Sequence, residues 1–373
     1  MSLISQLLTS KKVLVCCGAG GVGKTTVSAS LAIAAARLGL RVLVVTIDPS
    51  RRLAEALGVD RNPPEPVPVS DEFSNVGGLT GSLSAWMLDP QLVADRVVQS
   101  FSSSRDEAER LLKNPIYQNV AAMVAGMQEY TAVQALYEFV SNDAYDLVIL
   151  DTPPSRDALR FLDAPARASS FLDRRIFNLF VPGEGGLIRR MATRLIEKVM
   201  DVAFGESTRL ELQQFFKLFG ALLGQLNHNQ TEMKAFFASD AVSFLMITSP
   251  APAALVEAQF FGQRATEELN LHVSGFVLNR SIASHRHCQL PDVSALDGEP
   301  DKVLKQAIEK LVPLAQREEA QVNAHHTLAT DMARSLGEGH FTIVLPNLGP
   351  DASETTGLVT LSEALVDDHN VVN

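Results

Sequence analysis

Cysteine is scarce in this sequence, and the few positions it occupies exclude a disulfide framework. Only 3 cysteines occur among the 373 residues, at Cys16, Cys17 and Cys288. The first two are neighbours in an apolar run that predicts a strand, so we expect their side chains to point to opposite faces and to belong to the core. A chain without paired cysteines fits the reducing cytosol, and we predict a cytoplasmic protein.

Long apolar runs and an excess of positive charge are also missing. No uninterrupted apolar run approaches the roughly 18 residues that a membrane-spanning helix requires, so we expect no direct membrane insertion. Residues 1–12 carry their charge after the apolar residues, which does not predict a signal peptide. The formal net charge of -11 argues against binding of nucleic acid or anionic lipid by bulk electrostatics.

Apolar strands alternate with helical segments along most of the chain. Strands that are apolar on both faces and alternate with helices are typical of a parallel sheet covered on both sides. We therefore predict an α/β fold with a doubly wound, mostly parallel sheet, in one domain that spans residues 1–373. Two helical stretches, 90–142 and 165–240, are predicted to form an inserted helical subdomain. The predicted strands are residues 13–17, 41–47, 83–88, 146–151, 242–248, 273–278 and 341–345.

A glycine-rich loop lies between the first predicted strand and an alanine-rich helix at residues 27–38. Its sequence, GAGGVGKTT at residues 18–26, matches G-x-x-x-x-G-K-[ST], the phosphate-binding loop of nucleoside triphosphatases. Glycines let successive backbone N–H groups point at one anion, and the following helix adds its positive N-terminal end. The residues predicted to bind the nucleotide are Gly20, Gly21, Val22, Gly23, Lys24, Thr25 and Thr26.

The polar side chains of the loop have separate predicted roles. Lys24 can reach the β- and γ-phosphates, the Thr25 hydroxyl can bind Mg²⁺, and Thr26 can bond to the α-phosphate. The stretch also matches G-x-G-x-x-G, the dinucleotide fingerprint, and Asp48 at the end of the next strand fits that alternative. A Lys-Thr pair directly after the last glycine has no task in a dinucleotide site, so we favour a triphosphate and treat Lys24 as catalytic.

Two aspartates end predicted strands next to this loop. Ligands of parallel sheets bind beyond the carboxyl ends of the strands, so both carboxylates are expected near the phosphates. Asp151 closes an apolar strand as in the Walker B motif, whose carboxylate holds Mg²⁺ directly or through water. Asp48 is either the N-cap of the next helix or a catalytic group, and its place at a strand end favours chemistry.

The chain resembles the family of ATPases that contains the arsenite-pump subunit and the tail-anchored-protein targeting factor, within the SIMIBI class of P-loop proteins. The resemblance rests on residues 18–26, Asp48-Pro49, residues 151–162 and Asn279, and their order and spacing extend over the whole chain. It implies ATP or ADP and Mg²⁺ as ligands.

The resemblance also implies roles for individual residues. Asp48 would orient or polarise the attacking water and act as a catalytic residue. Asp151 would lie in the second shell of the metal. Asn279 would bind the adenine edge, and Pro346 would flank the base.

Partners are a further implication of the resemblance. Family members dimerise face to face with the nucleotide at the interface, so we expect a homodimer or a heterodimer of family members. Their helical subdomain forms a client surface, so stretches 90–142 and 165–240 are expected to offer a groove to an apolar client helix or a membrane-protein partner. Plain helix-on-helix packing would explain the same apolar stripes, and both interpretations stay open.

Three departures from the family pattern leave the function open. The signature lysine that reaches the partner's phosphates is Ala19 here, and a lost cation at the developing charge slows a reaction greatly. The zinc-binding Cys-x-x-Cys is missing, since Cys288 stands alone, and the metalloid-binding cysteines have no counterpart. We therefore keep three hypotheses: a nucleotide-switched ATPase, a weakly active subunit whose homologous partner supplies the lysine, and an ATPase that drives an anion or arsenite pump.

Overall fold

The computed structural model defines the position of the nucleotide loop within a single sheet. It describes residues 2–46, 52–59, 65–87, 104–115, 143–152, 235–283, 302–335 and 339–372, together with positions 95, 98–99, 102, 117, 136–137, 139–140, 205–206, 208, 210–212, 215 and 337. Within these residues, no helix combines the length and the apolar character that crossing a membrane requires.

The described strands form one sheet of nine strands in the order β3-β4-β2-β5-β1-β6-β7-β8-β9. All neighbours pair in parallel except the two edge strands, β3 and β9, which pair antiparallel with β4 and β8. This arrangement confirms the predicted mostly parallel α/β sheet. The strands are β1 Val13–Gly18, β2 Arg41–Thr46, β3 Val67–Pro68, β4 Ser82–Met87, β5 Leu147–Asp151, β6 Val242–Thr248, β7 Val273–Ser281, β8 Phe341–Pro346 and β9 Val371–Val372.

The central strands are buried along their whole length. Every residue of β1, β5 and β6 is buried, as expected for parallel strands covered on both faces. Alternate residues of β1 enter two separate cores: Val13, Val15 and Cys17 lie in one, while Leu14 and Cys16 lie in the other. A helical layer therefore covers each face of the sheet and leaves its carboxyl edge for the loops.

The helix predicted at residues 27–38 is observed as Lys24–Arg37. The helix after the glycine-rich loop is rich in alanine and serine, and its small side chains let it pack between the sheet and the last helix of the chain. The α-helices among the described residues are α1 Leu3–Ser10, α2 Lys24–Arg37, α3 Arg52–Leu57, α4 Asp71–Gly77, α5 Arg105–Leu112, α6 Pro252–Glu267, α7 Lys302–Ser335 and α8 Thr355–Val366. Most of stretches 90–142 and 165–240 lies outside the described residues, so the helical subdomain stays a prediction.

The helix α7 is an element that the sequence patterns did not predict. Its 34 residues correspond to about 50 Å at 1.5 Å per residue. The C-terminal part packs on β7 and β8 and buries Val322, Ala329 and Met332. The N-terminal part exposes apolar side chains, among them Val303 and Leu314. Only the C-terminal part therefore belongs to the core of the sheet.

An ion pair joins the opposite, amino-terminal end of the sheet. Arg41 Nη2 lies 2.8 Å from Asp146 Oδ1, and the backbone N–H of Arg41 donates to Asp146 Oδ2. The hydrogen bonds from Arg41 lower the pKa of Asp146 to about 2. This perturbed carboxylate lies at the wrong end of the strands for a ligand site, so its role is to join β2 to the start of β5.

Candidate functional site

The glycine-rich loop connects β1 to α2 at the carboxyl edge of the sheet. Strand β1 ends at Gly18 and helix α2 begins at Lys24, with Gly23 as its N-cap. Gly23 has a φ of +91° and offers no side-chain hydrogen bond to the first turn, so backbone N–H groups of that turn face the loop. Gly20 and Gly21 are exposed at the mouth of the loop. A helix N-terminus of this kind favours an anion.

The side chain of Lys24 folds back over the loop. Its Nζ donates to the carbonyl oxygens of Gly18, at 3.0 Å, and Ala19, at 2.9 Å. Only 8% of the residue is exposed. The chain thus holds a positive charge inside the curl of the loop, where the predicted phosphates would lie.

Three oxygen-bearing side chains meet next to the loop. The Thr25 hydroxyl donates to Asp151 Oδ2 at 2.7 Å, and the Thr46 hydroxyl donates to the same atom at 3.2 Å. Asp151 is only 1% exposed. The first turn of α2 and the ends of β5 and β2 therefore converge on one carboxylate.

These oxygen atoms are of the kind that Mg²⁺ prefers. Mg²⁺ is usually held by one or two protein oxygens together with substrate phosphates and water, rather than by a full protein cage. Within the described part of the chain, no group of three or more His, Cys, Asp or Glu residues could hold a metal ion. A hydroxyl at Thr25 beside the Asp151 carboxylate thus fits Mg²⁺ better than it fits a metal with an all-protein site.

Asn279 lies on the other side of the loop, at the end of β7. Its Nδ2 donates to the carbonyl oxygen of Val22 at 2.9 Å, and its Oδ1 accepts from the backbone N–H of Arg280 at 2.9 Å. A Cβ atom added at Gly23 would overlap with this Nδ2. Asn279 therefore packs directly against the backbone of the loop, in addition to its predicted role at the base.

The remaining predicted ligand, Pro346, ends the adjacent strand β8 and pairs in register with Ser281. The order of strands along the carboxyl edge thus separates the residues around the loop into three zones. Thr46 and Asp151 lie to one side of the loop, and Asn279 and Pro346 lie to the other. A nucleotide with its phosphates in the loop could accordingly meet a metal on one side and base-binding groups on the other.

Several predicted residues lie outside the described part of the chain. They are Asp48, residues 153–162 of the motif that follows Asp151, and Cys288. Strand β2 nevertheless ends at Thr46, whose hydroxyl reaches Asp151. The catalytic role of Asp48 stays a prediction.

Ala19 and the two cysteines of β1 are core residues. Ala19 is 6% exposed, and its carbonyl oxygen accepts from Lys24. Cys16 and Cys17 are buried free thiols on opposite faces. Burial raises the pKa of Cys17 to about 12 and also raises that of Cys16. Both therefore stay protonated at neutral pH, which excludes them as thiolate nucleophiles.

Sequence patterns missed two residues that shape the site. Thr46 was not distinguishable from an ordinary strand position. Thr152 donates its hydroxyl to the carbonyl oxygen of Cys16 at 2.7 Å and fastens the end of β5 to β1. The only sequence signal for Thr152 was its place directly after the aspartate of the Walker B motif.

Comparison with known proteins gives one family and a group of curated relatives. A family model described as anion-transporting ATPase matches residues 11–315. The ATPase GET3 of Malassezia globosa is 34% identical over 157 residues, which are 42% of this chain and 43% of that protein. The ATPase get3 of Aspergillus terreus is 32% identical over 149 residues, 40% of this chain and 41% of the relative. The corresponding protein of Schizosaccharomyces pombe is 32% identical over 160 residues. The matched segment thus spans less than half of each of these relatives.

Proposed function

Because the chain belongs to the family described as anion-transporting ATPases, we propose that it hydrolyses ATP at the loop of residues 18–26. One observation carries the proposal: a buried ammonium, Lys24 Nζ, lies over the loop while the Thr25 hydroxyl contacts the Asp151 carboxylate. Amides, one cation and a metal-binding pair at a strand edge are the parts that phosphoryl transfer requires. The matches to curated ATPases support the same reaction.

Each group has a defined task in this proposal. The N–H groups of the loop and Lys24 would bind the β- and γ-phosphates and stabilise the charge that develops on them. Mg²⁺, when bound by the Thr25 hydroxyl with Asp151 behind it, would neutralise phosphate oxygens. Asp48 would orient the attacking water and draw off its proton.

The base would lie on the opposite side of the loop. Asn279 donates one of its two amide hydrogens to Val22, and its Oδ1 accepts one hydrogen bond from Arg280. The amide can therefore donate one further hydrogen bond and accept one further hydrogen bond. One donor and one acceptor on the same amide match the edge of adenine. Pro346 would pack beside the ring. We therefore propose adenine nucleotides as the ligands.

Replacement of Asp48 tests the chemical step. We expect Asp48→Asn to lower ATP turnover by about 100-fold or more, the usual scale of general-base catalysis, while ADP affinity stays within a factor of two or so. Phosphate release measures the first quantity and calorimetry the second. The matched control is Asp146→Asn, because Asp146 is a carboxylate at the far end of the strands. Equal turnover in wild type and Asp48→Asn would remove Asp48 from catalysis.

We further propose that the chain works as a dimer whose contact depends on nucleotide. The resemblance to this family implies a nucleotide between two subunits, and the sequence lacks the Cys-x-x-Cys that would bridge them through zinc. Its helical stretches 90–142 and 165–240 would then form the surface for an apolar client helix or a membrane-protein partner, and the nucleotide state would reshape that surface.

Molecular mass in solution tests the dimer. We expect a mass near twice 40.4 kDa with a non-hydrolysed ATP analogue and a larger monomer fraction with ADP. Light scattering after size exclusion separates the two cases. A Gly23→Ala variant, whose strained loop should bind the analogue poorly, serves as the control. The same mass distribution with both nucleotides would show that nucleotide does not govern pairing.

A specific observation favours one alternative, a weakly active subunit that pairs with a homologue. Residue 19 is a buried alanine, so it offers no cation to a partner's phosphates, and the cation for its own site would have to come from elsewhere. Turnover of the pure chain at a rate typical of its relatives would exclude this alternative. Stimulation by arsenite or antimonite would instead favour the pump-driving ATPase.

A further inference from the structure

The end of β7 has an unusual backbone. Arg280 has a φ of +59°, in the left-handed region, although it is not glycine. The pairing of β7 with β8 shifts register between Leu278 and Ser281. A non-glycine residue in this conformation is strained and persists only where surrounding contacts impose it. The bulge at residues 279–281 must therefore be held from outside.

Contacts hold the bulge at both of its ends. On one side, the amide of Asn279 donates to the carbonyl oxygen of Val22 in the phosphate loop. On the other side, the backbone N–H of Ile282 donates to His325 Nδ1 at 3.2 Å, and the Ser281 hydroxyl lies 3.2 Å from the same nitrogen. Four residues of chain, 279–282, thus connect the loop to helix α7.

The hydrogen bonds define the state of the imidazole. Ser281 Oγ accepts the backbone N–H of Ala283 at 3.1 Å, so the hydroxyl hydrogen is available to donate to His325 Nδ1. Because the N–H of Ile282 also donates to Nδ1, this nitrogen carries no hydrogen and the neutral ring is protonated at Nε2. Partial burial lowers the pKa of His325, which agrees with a neutral ring.

Helix α7 does not need this histidine to stay on the sheet. Its C-terminal part buries Val322, and Ala329 and Met332 pack in the same core as residues of β7 and β8, so these apolar contacts anchor the helix. The polar contacts of His325 go to the strand end instead. These contacts therefore fix the backbone of residues 279–283, and the position of that backbone determines where Asn279 lies.

We propose that His325 is a positioning residue for nucleotide binding: its unprotonated Nδ1 holds the bulge that seats Asn279 against the phosphate loop. This inference rests on the adenine-nucleotide site proposed above and extends it by a residue about 46 positions further along the chain, on a different element. Asn279 would touch both loop and base, whereas His325 acts only through it.

The test measures ADP affinity by calorimetry in the full chain. We expect His325→Leu to weaken ADP binding about 5- to 10-fold, the loss of roughly one net hydrogen bond. His325→Asn should restore most of the affinity, because its Oδ1 can accept at the position of Nδ1. His326→Leu is the matched control, since His326 is the exposed neighbour on the same helix. At saturating ATP, turnover of His325→Leu should stay close to wild type while KM rises by the same factor as the dissociation constant.

A double-variant cycle separates positioning from mere structural support. In an Asn279→Ala background, His325→Leu should weaken binding no further, because the group it positions is already absent. A purely structural histidine would add its effect in both backgrounds. If His325→Leu fails to fold, His325→Gln replaces it, because its longer amide presents no acceptor at the Nδ1 position.

The outcomes distinguish this inference from the proposed site. If wild type takes up no adenine nucleotide, the proposed site fails and the positioning role fails with it. If wild type binds ADP and Asn279→Ala weakens binding, but His325→Leu binds as wild type does, only the role of His325 is overturned. Equal losses in His325→Asn and His325→Leu, or additive losses in the double variant, also overturn it.

Discussion

Lys24→Ala is expected to lower the rate of ATP hydrolysis by about 100- to 1,000-fold, the scale observed when one donor to a developing oxyanion is removed. The ammonium of Lys24 is buried inside the loop and is held there by the carbonyl oxygens of Gly18 and Ala19. A charge already in place needs no reorganisation when the phosphoryl group moves, so its loss should fall mainly on the transition state.

The control for this prediction is Lys12→Ala. Lys12 precedes the same strand at its other end and pairs with Asp143 on the surface at 3.6 Å, so its loss should leave turnover unchanged. Thermal unfolding of both variants should remain cooperative, which circular dichroism can check. A Lys24→Ala protein that is folded and hydrolyses ATP at more than about a tenth of the wild-type rate would contradict the assignment of Lys24 to the phosphates.

Gly23→Ala is expected to weaken nucleotide binding by about 100-fold, through two separate costs. Gly23 has a φ of +91°, and an L-residue there costs roughly 1–2 kcal/mol. Its new Cβ would also overlap with Nδ2 of Asn279, and such crowding usually costs about 1–3 kcal/mol. Together these reach about 3 kcal/mol, or about two orders of magnitude in affinity, because the loop can relieve both only by leaving its anion-binding conformation.

Gly21→Ala separates the two costs. Gly21 also has a positive φ, of +80°, but a Cβ there meets no atom within 4 Å. It should therefore show the backbone cost alone, about tenfold in affinity. In the double variant Gly23→Ala with Asn279→Ala, the overlap is absent. Its loss of affinity should therefore be smaller than the sum of the losses in the two single variants. Titration with a fluorescent ADP analogue measures the wild type, the three single variants and the double variant. Equal losses in Gly21→Ala and Gly23→Ala would show that Asn279 does not crowd the loop.

Much of the fold could be predicted because its signals are local. Strands buried on both faces appear as continuous apolar runs, and the predicted runs at 13–17, 242–248 and 341–345 match β1, β6 and β8 to within a residue. The phosphate loop is equally local, since its chemistry requires glycines, a lysine and a threonine at fixed short spacing.

Helix α7 was missed for a physical reason. Leu304, Ile308 and Leu311 follow helical spacing, but Pro313 interrupts the pattern, and proline in a helix interior usually ends it. The two antiparallel edge strands, β3 and β9, were missed because each has only two residues. Stretches so short carry no periodicity from which a strand can be inferred.

A short segment of the chain thus specifies which residues bind an anion, since the lysine and glycines of a phosphate-binding loop such as residues 18–26 contact the same phosphates. It does not specify which distant groups surround that anion. The hydrogen bonds from Thr25 and Thr46 to Asp151, and from Asn279 to Val22, join residues more than 100 positions apart. They exist because β2, β5, β1 and β7 end at one edge of a single sheet, and strand order depends on packing of the whole chain rather than on any segment of it.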